Sequence, residues 1–339
     1  MSNISIQQQE ASLSEDEESG LKYVKLTMAL LIVLLNGYAA IILLRIKHRA
    51  FSICLFISIS VSDMLIGICV ALPSALISST ARWPFSSLAC YIYLTLRPIN
   101  FMITVDTVFM LAIHRFIQLA RPSRQSETIS AKRILILLLP WLYRPIYCLI
   151  NVEIVDLYHG IDTQTCSMSY DGFHVVLSMS LVEFPIILAA IVLNALNIYK
   201  IVERQRQVIS RLKSPIVATV RKQSSLHKEH ESSTGELSPM FINRNNESKL
   251  ERRVSNSFNR DFKAITCISS IILNMMLTNC TFLIVLAYTS LCKCNYQLAE
   301  YSFIVALCCP LLNPIILFIF NSQLRAYFGE CFSKNDQQL

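Results

Sequence analysis

Seven stretches of this chain are apolar over the length that a helix needs to cross a bilayer, about 20 residues. They fall at roughly 23–45, 51–78, 88–119, 134–151, 173–199, 262–289 and 297–320, and no other stretch qualifies. In hydrocarbon every backbone N–H and C=O must find a partner within its own element, so runs of this kind fold as helices. With 53% hydrophobic and 16% charged residues, the chain carries more apolar surface than a water-soluble globule can bury. Only seven glycines occur, and no Gly-rich phosphate loop, which speaks against a loop-rich α/β enzyme. The expected fold is all-α: a seven-transmembrane helix bundle followed by a short amphipathic helix.

Lys and Arg gather in alternate connections: Arg45, Lys47 and Arg49; Arg121, Arg124, Lys132 and Arg133; and the long segment after the fifth stretch. The intervening connections carry Glu153, Asp156, Asp162 and Asp171. The positive-inside rule then puts the N-terminus outside and the C-terminus in the cytoplasm. The formal charge of +7 reflects this loop bias, and no nucleic-acid partner is expected. Residues 1–22 read as an extracellular tail with a glycosylation acceptor at Asn3, residues 23–320 as the membrane domain, and 321–339 as amphipathic helix and cytoplasmic tail. Within the membrane domain, residues 203–258 are polar with little apolar periodicity. Most of this insertion is expected to be disordered, its ends prolonging the fifth and sixth helices. Leu324, Tyr327, Phe328 and Phe332 share a helical face, and Cys331 beside them is a candidate for palmitoylation or a free tail thiol.

Ordered landmarks within the spans resemble the rhodopsin-like family of G-protein-coupled receptors. Asn36 lies in span one, Asp63 within Ser-Val-Ser-Asp in span two, His114-Arg115-Phe116 ends span three, Trp141 is in span four, Pro185 in span five, and Asn313-Pro314 in span seven. Trp83-Pro84-Phe85 is similar to the family's W-x-F turn, and parts of span two resemble the amine receptors. The resemblance implies a plasma-membrane receptor that passes an extracellular signal to a heterotrimeric G protein, with arrestin and kinases as further partners and membrane lipid as its surroundings. It also implies a disulfide between Cys90 and Cys166, closing a long loop with about 3–4 kcal/mol of stabilisation. Cys292 and Cys294 invite a second bridge, or stay free or differently paired.

Buried ionisable groups in a span are functional candidates. In the family the aspartate matched by Asp63 helps hold a sodium ion, so sodium is the one cofactor candidate. Asn36, Thr104 and Asn313 are the oxygens expected near it, with a purely structural hydrogen-bond knot as the other reading. Arg115 matches the arginine of the D-R-Y signature, although His114 and Phe116 replace its neighbours; Asp261 is the expected partner in a clasp. Pro185 and Pro314 are candidate hinges. Span six lacks the family's C-W-x-P near Thr278-Asn279-Cys280-Thr281, and Leu317 and Leu193 stand where tyrosines are usual. These departures support an alternative, a receptor-like scaffold or heteromer partner with lost coupling.

Span seven has no lysine for retinal, and the position of the amine receptors' aspartate is Arg97, followed by Pro98. Arg97, Phe101 and Glu183 therefore form the candidate ligand pocket, with Arg97 meeting a ligand carboxylate or phosphate, snorkelling outward, or pairing with Glu183 or a loop acid. A transporter would want several deep charges, and only Asp63 reads as clearly deep. The six histidines lack metal-binding spacing, and no constellation of nucleophile, base and metal points to an enzyme. In the long loop Ser224, Ser225, Ser232, Ser233, Thr234 and Ser255 are phosphate acceptors.

Overall fold

The computed structural model describes residues 2–46, 50–80, 82–120, 131–159, 161–162, 166–168, 181–207, 210, 244–292, 296–321 and 324–326. Seven helices among them are long and apolar enough to cross a membrane: Gly20–Arg45, Phe51–Ile77, Ser87–Ala120, Ala131–Glu153, Leu181–Gln207, Asp261–Thr289 and Glu300–Phe320. These are spans one to seven. Span three is the most enclosed and span four the least, so the bundle is built around the third helix.

The core divides along the bundle axis. Near the end that carries Arg115, Leu43, Leu55, Leu111, Ile268, Ile271 and Leu317 are buried together. Toward the opposite end Ile32, Ala71, Trp83, Tyr93, Phe303 and Leu307 pack around the Cys90–Cys166 disulfide. Spans one and two approach so closely at Gly67 that an added Cβ would lie 2.7 Å from Val33 Cγ2 and 3.1 Å from the Ala29 carbonyl oxygen. A side chain at this position would force Val33 and its neighbours to shift. Gly67 also opens a π turn, Gly67–Ala71, that interrupts span two.

Several boundaries differ from those expected. The first helix runs without a break from Ser2 to Arg45, so the acidic residues before Gly20 have helical backbone; Asn3's side chain lies outside the described residues. The fourth helix extends to His159 despite Pro140 and Pro145. Span five is described from Leu181, and residues 173–180 lie outside the described set. The sixth helix begins at Arg244, inside the insertion expected to be largely disordered. Leu250, Val254, Phe258 and Phe262 recur at four-residue intervals, an apolar stripe masked by the polar composition around it. Phe258 and Phe262 stack with centroids 5.9 Å apart, and Phe258 packs on Leu119, Ile201 and Ile265, which anchors this extension to spans three and five.

The loop between spans four and five contributes a two-residue antiparallel ladder, β1 (Ile161–Asp162) against β2 (Ser167–Met168), a small exception among described residues that are mostly helical. Past span seven, residues 324–326 are helical and Leu324 is buried against the core. Its backbone N–H donates to Asn321 Oδ1 at 3.3 Å, a side-chain cap for the new helix. Cys331, Tyr327, Phe328 and Phe332 lie outside the described residues, as do Cys294, the Cys292 side chain and Ser224 to Thr234.

Candidate functional site

Asp63 is enclosed at mid-bundle, where a carboxylate needs donors to offset its lost hydration. Asn313 Nδ2 donates to its Oδ2 at 2.9 Å. The Thr104 hydroxyl lies 3.3 Å from its Oδ1, 3.3 Å from Ser62 Oγ and 3.1 Å from the Asn100 carbonyl, and its single proton serves one of these at a time. Ser62 Oγ donates to that same carbonyl at 2.7 Å. One carboxylate and two hydroxyls thus meet, a set of hard oxygen donors suited to a monovalent cation. Asn313 turns its NH2 toward Asp63, while its Oδ1 accepts from Asn274 Nδ2 at 3.0 Å. Asn36 is elsewhere, so of the three oxygen sources expected near Asp63 only Thr104 presents oxygen.

Asn36 has a different task. Pro314 has no N–H, which leaves the carbonyl four residues earlier, that of Pro310, without its helical donor. Asn36 Nδ2 fills the gap at 2.8 Å and also donates to Ile32 O at 3.0 Å, tying span one to span seven at its proline-interrupted turn. Asn274 Nδ2 also donates to Cys309 O at 3.1 Å. A polar relay therefore runs from Asp63 on span two through Asn313 on span seven to Asn274 on span six.

Just beyond Asn274, span six changes to a π turn, Met276–Cys280, before resuming at Thr281. This stretch is where the sequence lacks the family's proline. The irregularity that proline would bring is present as a wider turn, with Thr278 Oγ1 donating back to Asn274 O at 2.7 Å.

At the disulfide end, Trp83 packs edge-on against Phe85, and its Nε1 donates to Ser86 O at 2.9 Å. Cys166 takes a φ of 49°, the left-handed region. Arg97 points between spans six and seven: its guanidinium carbon lies 4.7 Å from the Phe303 ring centroid and 5.7 Å from that of Phe282. Beside it Lys25 forms an ion pair with Glu300 and sits 5.9 Å from the same Phe303 ring. Phe101, one turn below Arg97, packs against Val105, Ile187, Met275 and Cys309. Glu183 is not part of this group.

At the other end Arg115 Nη1 donates to Gln118 Oε1 at 3.0 Å. Among the described residues no ion pair joins Arg115 to Asp261, and Gln118 is a neutral amide one turn away on the same helix. His114 packs edge-to-face on Phe51 at 5.1 Å, and Lys200 Nζ lies 3.7 Å from the Phe116 ring centroid. Asn197 Nδ2 donates to Ala112 O at 3.1 Å and Asn194 Nδ2 to Ser269 Oγ at 2.7 Å, holding span five to spans three and six. Leu317 is buried among apolar side chains.

Comparison with known proteins agrees with this arrangement. The family described as 7 transmembrane receptor (rhodopsin family) matches residues 35–317. The chain belongs to that family. Among curated proteins it is similar to histamine H2 receptors: that of Cavia porcellus is 23% identical over 187 residues, 52% of this chain and 50% of the relative. The receptor of Rattus norvegicus is 23% identical over 206 residues, 58% and 57% of the two chains. That of Canis lupus familiaris is 26% identical over 121 residues, 35% and 34%. The match spans about half the length of these curated relatives or less.

One cluster in this rhodopsin-family chain escaped the sequence reading. Arg144 of span four is 1% exposed, and its Nε and Nη2 donate to Asp106 Oδ2 and Oδ1 at 2.6 and 2.7 Å while Nη1 donates to Glu183 Oε1 at 2.6 Å. Tyr143 donates its hydroxyl to Asp106 as well. Asp106, Arg144 and Glu183 are therefore buried in the bundle in addition to Asp63, as is Lys25 nearer the disulfide, correcting the expectation of a single deep charge. The first three make a buried cluster joining spans three, four and five, in which Glu183 Oε2 has no hydrogen-bond partner among the described residues. The available signal was that Asp106, Arg144 and Glu183 all interrupt apolar runs, and a charge in a span requires a partner. Asn274, Ser62 and Asn197 were missed for a weaker reason: a lone amide or hydroxyl in an apolar run does not announce its partner.

Proposed function

We infer that this chain is a multi-pass receptor of the plasma membrane that couples an extracellular ligand to a heterotrimeric G protein. The observation that supports it best is the relay from Asp63 through Asn313 to Asn274, which ends at the π turn of span six. Hydrogen bonds at the centre of the bundle thereby meet the irregular turn about which the two halves of span six would move. In this reading Cys90 and Cys166 face outside, and Arg115, Phe116 and the basic loops face the cytoplasm. Pro185 and Pro314 supply further bends, and Ser255, exposed on the sixth helix, is an acceptor for kinases whose product would recruit arrestin.

A sodium ion at Asp63 belongs to the same proposal, held by Asp63, Thr104 and Ser62. It would supply positive charge against the carboxylate and favour the closed arrangement of spans two and seven. The residues of the chain do the rest: Asn313 orients the carboxylate, and Asn36 holds the bend of span seven.

A scaffold or heteromer partner with weak coupling is the second reading, favoured by Leu317 lying in an apolar core where the family's tyrosine would offer a hydroxyl. Biosensors for each G-protein class decide between them. A receptor shows basal or ligand-stimulated coupling that falls at least tenfold in Arg115→Ala at equal surface expression. Coupling that stays undetectable across a broad ligand screen, or that ignores Arg115→Ala, refutes the receptor reading.

A further inference from the structure

Arg97 stands out because of what surrounds it. It lies on span three, seven residues from both Cys90 and Thr104, hence roughly 10 Å along the axis from the disulfide and from the level of the Asp63 relay. Two aromatic rings flank its guanidinium, Phe303 at 4.7 Å and Phe282 at 5.7 Å. No described residue accepts a hydrogen bond from it or forms an ion pair with it. Contact with ring faces uses the cation's charge but none of its five N–H donors. A half-buried guanidinium whose N–H donors reach no acceptor among the described residues is suited to a planar, two-pronged acceptor.

We propose that Arg97, with Phe282 and Phe303, is the anchoring site for a small organic monoanion, a carboxylate with an apolar or aromatic body. The inference rests on the receptor reading for its biological meaning, but not for its chemistry. Three charges gather around the Phe303 ring: Arg97, Lys25 and the carboxylate of Glu300. Their sum is one positive charge, which a monoanion neutralises. A phosphate dianion would set its second charge against Glu300, and an ammonium would meet Arg97 head-on. A carboxylate meets the guanidinium edge through two parallel N–H···O bonds, and Phe282 and Phe303 give its body an apolar wall.

The site also has a mechanical consequence. Phe282 follows the π turn Met276–Cys280 by two residues, and its ring lies 6.0 Å from that of Phe303 on span seven. A ligand body entering beside the Arg97 guanidinium must repack both rings. It thereby acts on the segment of span six that adjoins the Asn274 relay.

The test uses the full chain reconstituted in nanodiscs, melted in the presence of a thiol-reactive dye that reports exposure of buried cysteines. The probes are 3-phenylpropionate, 3-phenylpropanol, 2-phenylethylamine and inorganic phosphate at matched ionic strength. The expected result is a saturable rise in melting temperature with the carboxylate alone, since binding to the folded state stabilises it by mass action. Arg97→Gln should weaken the apparent affinity at least tenfold, and Arg97→Lys should weaken it less. Where Arg97→Gln fails to fold, the carboxylate-against-amine comparison on the unaltered chain decides. Equal or greater stabilisation by the amine, the alcohol or phosphate overturns the proposal, as does no carboxylate effect or one retained in Arg97→Gln. The assay contains no G protein. Carboxylate binding without coupling would sink the receptor reading alone, whereas coupling without carboxylate binding would sink this proposal alone.

Discussion

Replacing Arg144 alone should harm the bundle far more than removing its entire charge cluster. In Arg144→Met, three hydrogen bonds of 2.6–2.7 Å vanish, and the carboxylates of Asp106 and Glu183 stay buried with no cation. Breaking a buried pair in this way costs about 3–5 kcal/mol. That range corresponds to a shift in the folding equilibrium of about a hundred-fold to several thousand-fold. Converting Asp106, Arg144 and Glu183 together to Leu, Met and Met leaves no orphaned charge and fills a comparable volume, a change that ranges from neutral to stabilising. Asp106→Asn should fall between, because Arg144 keeps Glu183 and the amide still accepts one N–H. Thermal melts of purified protein in nanodiscs, followed by the dye reaction of buried Cys148, Cys267 and Cys309, measure the series. The order expected is triple variant at or above the unaltered chain, Asp106→Asn below, Arg144→Met lowest. A triple variant less stable than Arg144→Met would refute the argument, since it would mean that the cluster contributes more by its geometry than its desolvation costs.

Two further outcomes follow from close contacts. Gly67→Val should destabilise by about 1–3 kcal/mol through overpacking against Val33 and the Ala29 carbonyl, read as a lower melting temperature, and Val33→Ala should restore part of it. Asn36→Leu leaves the Pro310 carbonyl without a donor and should cost about 1–2 kcal/mol, with spectroscopic distances between spans one and seven broadening; unchanged distances would separate Asn36 from the bend.

Much of this architecture could be read from the chain alone, because bilayer thickness acts locally: about 20 apolar residues in a row must cross, whatever their neighbours do. The seven spans follow from that, and the Cys90–Cys166 bridge from the family's pattern of landmarks. Misplaced boundaries came from composition hiding periodicity, as in the stripe Leu250, Val254, Phe258, Phe262 within a polar segment. Partnerships are another matter. Asp106, Arg144 and Glu183 are separated by 38 and 39 residues, and whether they meet depends on how each helix is rotated about its own axis. The same rotations send Glu183 to Arg144 rather than Arg97 and turn Asn36 to Pro310 rather than Asp63. Hydrophobicity sets which segments enter the lipid, but helix-on-helix packing, with its need to satisfy each enclosed polar atom, chooses which of them touch.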